Sequence, residues 1–212
     1  VLLQDVLRTL SPRADACYID GTFGRGGYTK ALLEAVSCRV LAIDKDPDVI
    51  PLAQELQDKF PGRFFFERGE FSAMDAYAQA LQWKKVDGIV LDIGVSSPQL
   101  ETPERGFSFR TDGPLDMRMS QSGPTAADIV NTYSEEQLAF IIWTYGEERH
   151  SRKIARLIVE TRQKEFITST GQLAHLIYKV TGKKKHKIDP ATRTFQALRI
   201  YVNKELEELA RA

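Results

Sequence analysis

Tyr18-Ile19-Asp20-Gly21-Thr22-Phe23-Gly24-Arg25-Gly26-Gly27-Tyr28 is an apolar run that ends in an acid and then in a cluster of glycines. The run starts at Cys17, and the spacing of Ala31, Leu32, Leu33 and Val36 behind the glycines predicts a helix over 29–36. Strand, glycine-rich turn and helix form the opening unit of a nucleotide-binding α/β fold. Glycine is needed where backbone must approach a ligand closely or take positive φ. A second apolar run, Val40-Leu41-Ala42-Ile43, ends in Asp44. An acid at the end of the second strand is placed to hold a ribose diol. The two pieces agree on a nucleoside site.

The rest of the chain extends this pattern and then leaves it. Leu2, Leu3, Val6 and Leu10 predict an amphipathic helix stopped at Ser11-Pro12. Asp46-Pro47 is a helix start, a capping acid followed by proline at the first helical position. That helix is expected to reach Lys59, with a kink at Pro51. Phe64-Phe65-Phe66 reads as a buried third strand, Ser72 as the cap of a helix to Leu81, and 86–91 as a fourth strand ending in Asp92. Strands and helices alternating in this way predict a parallel sheet covered on both faces. Beyond it, 94–123 is far longer than an ordinary connection, which marks it as functional or disordered. Its aromatic and methionine side chains argue for order. Helices are then expected over 134–145 (opened by the capping box Ser134-Glu135-Glu136-Gln137), 149–164, 169–180 and 190–210.

Composition excludes several classes. With 212 residues, 42% hydrophobic and 27% charged, the chain has the make-up of a globular domain carrying at most one insertion. No apolar run approaches the ~20 residues that span a bilayer. Cys17 and Cys38 lie in or beside predicted strands and read as buried free thiols, in keeping with a reducing compartment. The three histidines and two cysteines lack metal-ligand spacing. The net charge of zero conceals an asymmetry. Between Phe140 and Arg199 there are 13 Lys or Arg against five Asp or Glu, a local +8 balanced by −8 elsewhere. Lys183, Lys184, Lys185 and Lys187 form a basic run, and Arg149, Arg152, Lys153 and Arg156 a basic stripe. Together they point to a polyanionic partner such as RNA or DNA.

The glycine turn narrows the cofactor. Thr29 occupies the third position of the dinucleotide fingerprint, and no Gly-Lys-Ser/Thr marks a P-loop. A methyltransferase using S-adenosylmethionine fits what remains, since it has no pyrophosphate to bind. Asp92-Ile93-Gly94-Val95-Ser96-Ser97-Pro98-Gln99-Leu100 follows a strand expected at the sheet centre, where the chemistry of such a fold belongs. It contains no cysteine, so attack on a pyrimidine ring by a thiolate is disfavoured. Direct displacement onto an exocyclic amine or a hydroxyl needs alignment and exclusion of water instead.

Six blocks, in this order, carry a resemblance over essentially the whole chain. They are Asp20 to Gly27, Asp92 to Leu100, Glu104-Arg105-Gly106-Phe107-Ser108-Phe109, Asp112 to Met119, Tyr145-Gly146-Glu147-Glu148-Arg149, and Ala191 to Arg199. The chain closely resembles the RsmH (MraW) family of small-subunit ribosomal RNA cytosine-N4 methyltransferases. The resemblance implies a Rossmann-like class I methyltransferase sheet interrupted by an all-helical domain over the active site. Residues 1–108 would bind S-adenosyl-L-methionine, 109–189 the substrate, and 190–212 would return to the first domain. It implies a cytidine in the decoding region of 16S ribosomal RNA as acceptor, the 30S subunit and a second copy of the chain as partners, no membrane, and a cytoplasmic location. Members of the family continue beyond this length, so the chain resembles a fragment with an open sheet edge, and its start at Val1 suggests a few missing residues.

By position, the family's cofactor residues fall on Gly26, Gly27, Tyr28, Asp44, Phe71, Asp92 and Gln99. Tyr28 stands where a histidine is usual. Asp44 is expected on the ribose hydroxyls and Phe71 on the adenine. Asp92, Ser96 and Ser97 are the expected hydrogen-bond acceptors for the amine, and Arg149, Arg193 and the lysines at 183, 184, 185 and 187 the expected RNA contacts. Two alternatives stand beside this reading: methylation of another amine in DNA or protein, and an RNA-binding domain with a vestigial cofactor fold.

Overall fold

Four strands carry the first half of the chain, and their order places every turn that matters. A computed structural model describes residues 2–182 and 188–212. Strands β1 (Cys17–Asp20), β2 (Arg39–Asp44), β3 (Phe64–Arg68) and β4 (Gly88–Val90) form one parallel sheet in the order β3-β2-β1-β4. Between them run α1 (Leu3–Leu10), α2 (Gly27–Ala35), α3 (Ile50–Lys59) and α4 (Met74–Ala80). This is a Rossmann-like α/β sheet. Alternate residues of each strand serve opposite faces. Tyr18, Val40, Ala42 and Phe64 join Leu32, Leu33 and Leu56 in one core, while Ile19, Leu41 and Ile43 join Phe71, Met74 and Ala78 in the other. Fully burying one such Leu or Ile contributes about 1.5–3 kcal/mol.

The chain packs into two compact units, Val1–Gly94 with Leu206–Ala212, and Val95–Glu205. By packing, the units divide at 95 and 205. The second unit holds α5 (Ser97–Glu101), α6 (Ala126–Thr132), α7 (Glu135–Gly146), α8 (Ser151–Arg162), α9 (Thr170–Thr181) and α10 (Ala191–Val202), and the first ends with α11 (Glu205–Arg211), whose first residue belongs to the second unit. The second unit's core brings Phe107, Leu115, Met117 and Met119 of the long connection against Ile129, Leu138, Ile142, Ile158, Ile177 and Leu198. Those apolar residues are why the connection is ordered. Capping boxes open α6 (Thr125 with Asp128), α7 (Ser134 with Gln137) and α9 (Ser169 with Gln172).

Four local expectations are corrected. Asp46 caps a 3-10 turn, Pro47–Val49, and Pro51 lies in the first turn of the separate helix α3, where it removes no hydrogen bond and makes no kink. Ser72 does not cap; it sits inside a 3-10 turn, Phe71–Ala73, and its hydroxyl donates to the Glu208 carboxylate. β4 is three residues long and lies at the edge of these four strands, not at the centre. The helix expected over 190–210 is two helices, because Asn203 donates to the carbonyl of Met117 (2.7 Å) and accepts from Met119 N–H (2.8 Å), and Lys204 follows at φ 52°.

Candidate functional site

The strand order creates a switch point. From β1 the chain steps outward through β2 to β3, then returns to place β4 on the other side of β1. Connections leaving the carboxyl ends of β1 and β4 therefore diverge, and open sheets of this kind bind ligands in the crevice between them. The glycine turn leaves β1 there, and Asp92 follows β4. Gly21 N–H donates to the Val90 carbonyl (2.9 Å) and Asp92 N–H to the Thr22 hydroxyl (2.7 Å), so the two exits are tied together.

Asp44 shapes the turn from the neighbouring strand. Its Oδ2 accepts from Gly24 N–H (2.8 Å) and its Oδ1 from Asp46 N–H (2.9 Å). Burial raises its pKa, against those bonds. With Lys45 N–H as a third donor, a carboxylate of about four acceptor positions keeps room for one further hydroxyl. Gly24 and Gly26 both have positive φ (49° and 67°), which the turn requires. Gly26 then becomes the residue before α2, and a Cβ on Gly27 would meet nothing within 4 Å. The start of α2 consequently faces open space with helix-end N–H groups directed into it. Phe71 lies on the other side, its Cβ 3.1 Å from where a Cβ of Gly21 would be, and is 9% exposed within the sheet core. The core thus covers most of the ring expected to pack on an adenine.

Two features escaped the sequence reading. The Tyr28 hydroxyl donates to Asp92 Oδ2 (3.2 Å), joining the start of α2 to the end of β4 across the switch point. Only the fold places these residues together, 64 positions apart. Burial, then the Asp92 charge, raises the Tyr28 pKa, so the hydroxyl keeps its proton. The second is Asp20. It is fully buried, accepts from the Thr29 hydroxyl (2.7 Å) and Thr22 N–H (3.3 Å), and is pushed by desolvation to a pKa of about 6. An acid ending a buried strand was the available signal.

The remaining predicted residues belong to the second unit. Ser96 and Gln99 form a reciprocal capping box at the start of α5, with Ser96 N–H donating to Gln99 Oε1 (2.9 Å). Gln99 is buried and Ser97 is exposed. Arg193 donates to the Glu147 carbonyl (3.2 Å), and Arg149 lines a concavity of about 800 Å³ between α7 and α8. Lys183, Lys184, Lys185 and Lys187 lie outside the described residues. Among the described residues no three His, Cys, Asp or Glu side chains are grouped to hold a metal, and no helix is long and apolar enough to cross a membrane.

The profile of the MraW methylase family matches residues 1–212. The ribosomal RNA small subunit methyltransferase H of Xanthobacter autotrophicus is 54% identical over 212 residues, covering all of this chain and 61% of its own length. The proteins of that name from Maricaulis maris and Rhodospirillum centenum are 53% and 54% identical over the whole chain, each covered to 64%. The chain therefore spans a little under two thirds of these relatives.

Proposed function

The chain belongs to the MraW methylase family, and from that premise we propose that it transfers a methyl group from S-adenosylmethionine to the N4 amine of a cytidine in the decoding region of small-subunit ribosomal RNA. Its partner would be the small ribosomal subunit, in the cytoplasm, with a second copy of the chain as a further partner. One observation carries the reading: the family match runs over all 212 residues, and so includes the switch-point turn and the Asp92–Gln99 segment. In this reading the first unit holds the cofactor and the second contacts the RNA.

The residues fit such a cofactor. Asp44 offers a remaining acceptor to a ribose hydroxyl, while the helix-end N–H groups and the open face at Gly27 suit a carboxylate-bearing methionine chain. When bound, the cofactor supplies an electrophilic methyl on a positively charged sulfur. The cytosine N4 lone pair is delocalised into its ring, so the protein's task is to turn the amine toward that methyl and take up N–H hydrogen bonds. Methylation would leave the amine one proton to lose, which an acceptor of the chain or water would take. Asp92 is an acceptor beside the turn, its N–H bonded to the Thr22 hydroxyl. The Tyr28 hydroxyl holds one of its oxygens, which fixes the carboxylate's direction. Ser97 is a further acceptor, and Ser96 is committed to its helix cap.

Labelled-methyl transfer to small ribosomal subunits tests this, with DNA and protein as competing acceptors. Counts confined to the RNA are expected. Transfer to DNA or protein alone would move the chain to another amine substrate, and absence of cofactor binding by calorimetry would leave an RNA-binding domain. Ser97→Ala is expected to slow transfer while leaving cofactor affinity intact. Ser96→Ala is the poorer test, because loss of its cap costs about 1 kcal/mol of stability by itself.

A further inference from the structure

The outward face of α7 is unusual for a helix. Leu138, Ile141 and Ile142 point into the core, as an amphipathic helix requires, yet Phe140 and Trp143 are 62% and 57% exposed on the opposite side. Aromatic residues three positions apart lie on one helical face. They line a concavity of about 800 Å³ with Arg149, Arg152 and Lys153, which precede or open α8. The acids on the same wall are occupied: Glu135 pairs with Arg156 (3.5 Å) and Glu136 accepts from the Ser134 hydroxyl (2.8 Å). Arg149, Arg152 and Lys153 make no ion pair among the described residues.

We infer that this cleft binds an unpaired RNA strand, with one or two bases stacked on Trp143 and Phe140 and the adjoining phosphates on Arg149, Arg152 and Lys153. The inference rests on the RNA substrate proposed above and adds a second place on the protein where that RNA is held. Single-strand sites combine aromatic platforms with a cationic track, and both line this cleft. A duplex would offer its phosphates and leave the rings uncovered. An apolar protein face would cover the rings but give the three cations no anion. Occupancy by an unpaired strand satisfies both sets of groups. It also suits an enzyme acting on a base, because a nucleotide must be unstacked before its exocyclic amine is accessible, and neighbours held apart stay apart.

Fluorescence separates the cleft from the rest of the chain, whose only other tryptophan, Trp83, is buried in the first unit. An unstructured RNA dodecamer is expected to quench Trp143, and the same sequence in a duplex is not. Trp143→Ala should abolish the quenching and weaken strand binding roughly tenfold, with Phe140→Ala weaker in effect. Replacing Arg149, Arg152 and Lys153 together by Gln should lower the slope of log affinity against log salt by about two. Parent-level strand binding by Trp143→Ala overturns the inference. So does a dimer, seen by sedimentation, that Trp143→Ala dissociates without affecting RNA binding. Methyl transfer by the parent is measured alongside. Strand binding through Trp143 without transfer would remove the functional reading alone, and transfer with Trp143 irrelevant to binding would remove this inference alone.

Discussion

Glycine does opposite work in the two units. In the first, the turn leaves Gly27 facing open space, where an added Cβ would touch nothing within 4 Å. In the second, Gly106, Gly113 and Gly146 are packed against main chain, and a Cβ on each would fall on the carbonyl oxygens of Pro114, Pro103 and Arg193. All four lie in the sequence blocks that carry the family resemblance. Only the structure separates a glycine that makes room for a ligand from one that lets two pieces of backbone meet. The contrast belongs to these four positions: the turn glycine borders a space, and the other three let backbone meet backbone.

The strongest way to break that comparison is Gly106→Ala. The residue has φ 71°, and a Cβ would strike both the Pro114 carbonyl and Asp116 N–H. A loss of about 3–5 kcal/mol is expected, the range for severe backbone clashes. Urea unfolding followed through Trp143 should shift strongly, and the emission of Trp83 much less. Equal shifts would show that the units do not unfold separately.

Asp20 tests the first unit by pH. Its folded-state pKa of about 6 stands above the ordinary 3.8. Between those values the folded state binds more protons than the unfolded state, so stability falls as pH rises through the window. The fall should be on the order of 2–3 kcal/mol. Asp20→Asn should flatten the profile, and an unchanged slope would assign the effect to another group. Next in size is Asp44→Ala, expected to weaken S-adenosylmethionine by about 1.5–3 kcal/mol in calorimetry, the scale of hydrogen bonds to a charged group. Unaltered affinity in a folded variant would remove Asp44 from the ribose. The smallest effect on stability belongs to Gly27→Ala. At the first position of α2 it should change unfolding by less than about 1 kcal/mol, in the stabilising direction, while lowering cofactor affinity. Full affinity would mean that the open space serves something else.

Much of this arrangement was legible in the sequence, for local reasons. The acid-and-glycine stretch gave β1 and the turn, Asp44 marked the end of β2, and Ser134 with Gln137 marked the start of α7. What could not be read depends on partners far along the chain. Asn203 is a residue type found at helix ends, with Arg199 in the turn before it, but Asn alone does not decide a stop. The break there comes from hydrogen bonds to Met117 and Met119, more than 80 positions away. The Tyr28–Asp92 bond has the same origin: Tyr28 was expected at the cofactor, and its hydroxyl is found on Asp92. The exposure of Trp143 was also hidden, since an aromatic in a helical run reads as core. The helix α6 did carry a signal, the Thr125–Asp128 box, which a search for Glu or Gln at the third position passes over.

The discontinuity of the first unit has a consequence for how it is made. Its two sheet cores draw on residues between Leu7 and Ile93, whereas the Ser72 hydroxyl waits for Glu208, 136 residues later. At ribosomal speeds of about 5–20 residues per second, that delay is on the order of ten seconds, long compared with the collapse of a small α/β sheet. The sheet can therefore close while the helical unit is still being translated. Helix α11 then arrives as a polar latch on four strands already paired, and a nascent chain stalled near position 205 should already bind whatever the glycine turn binds.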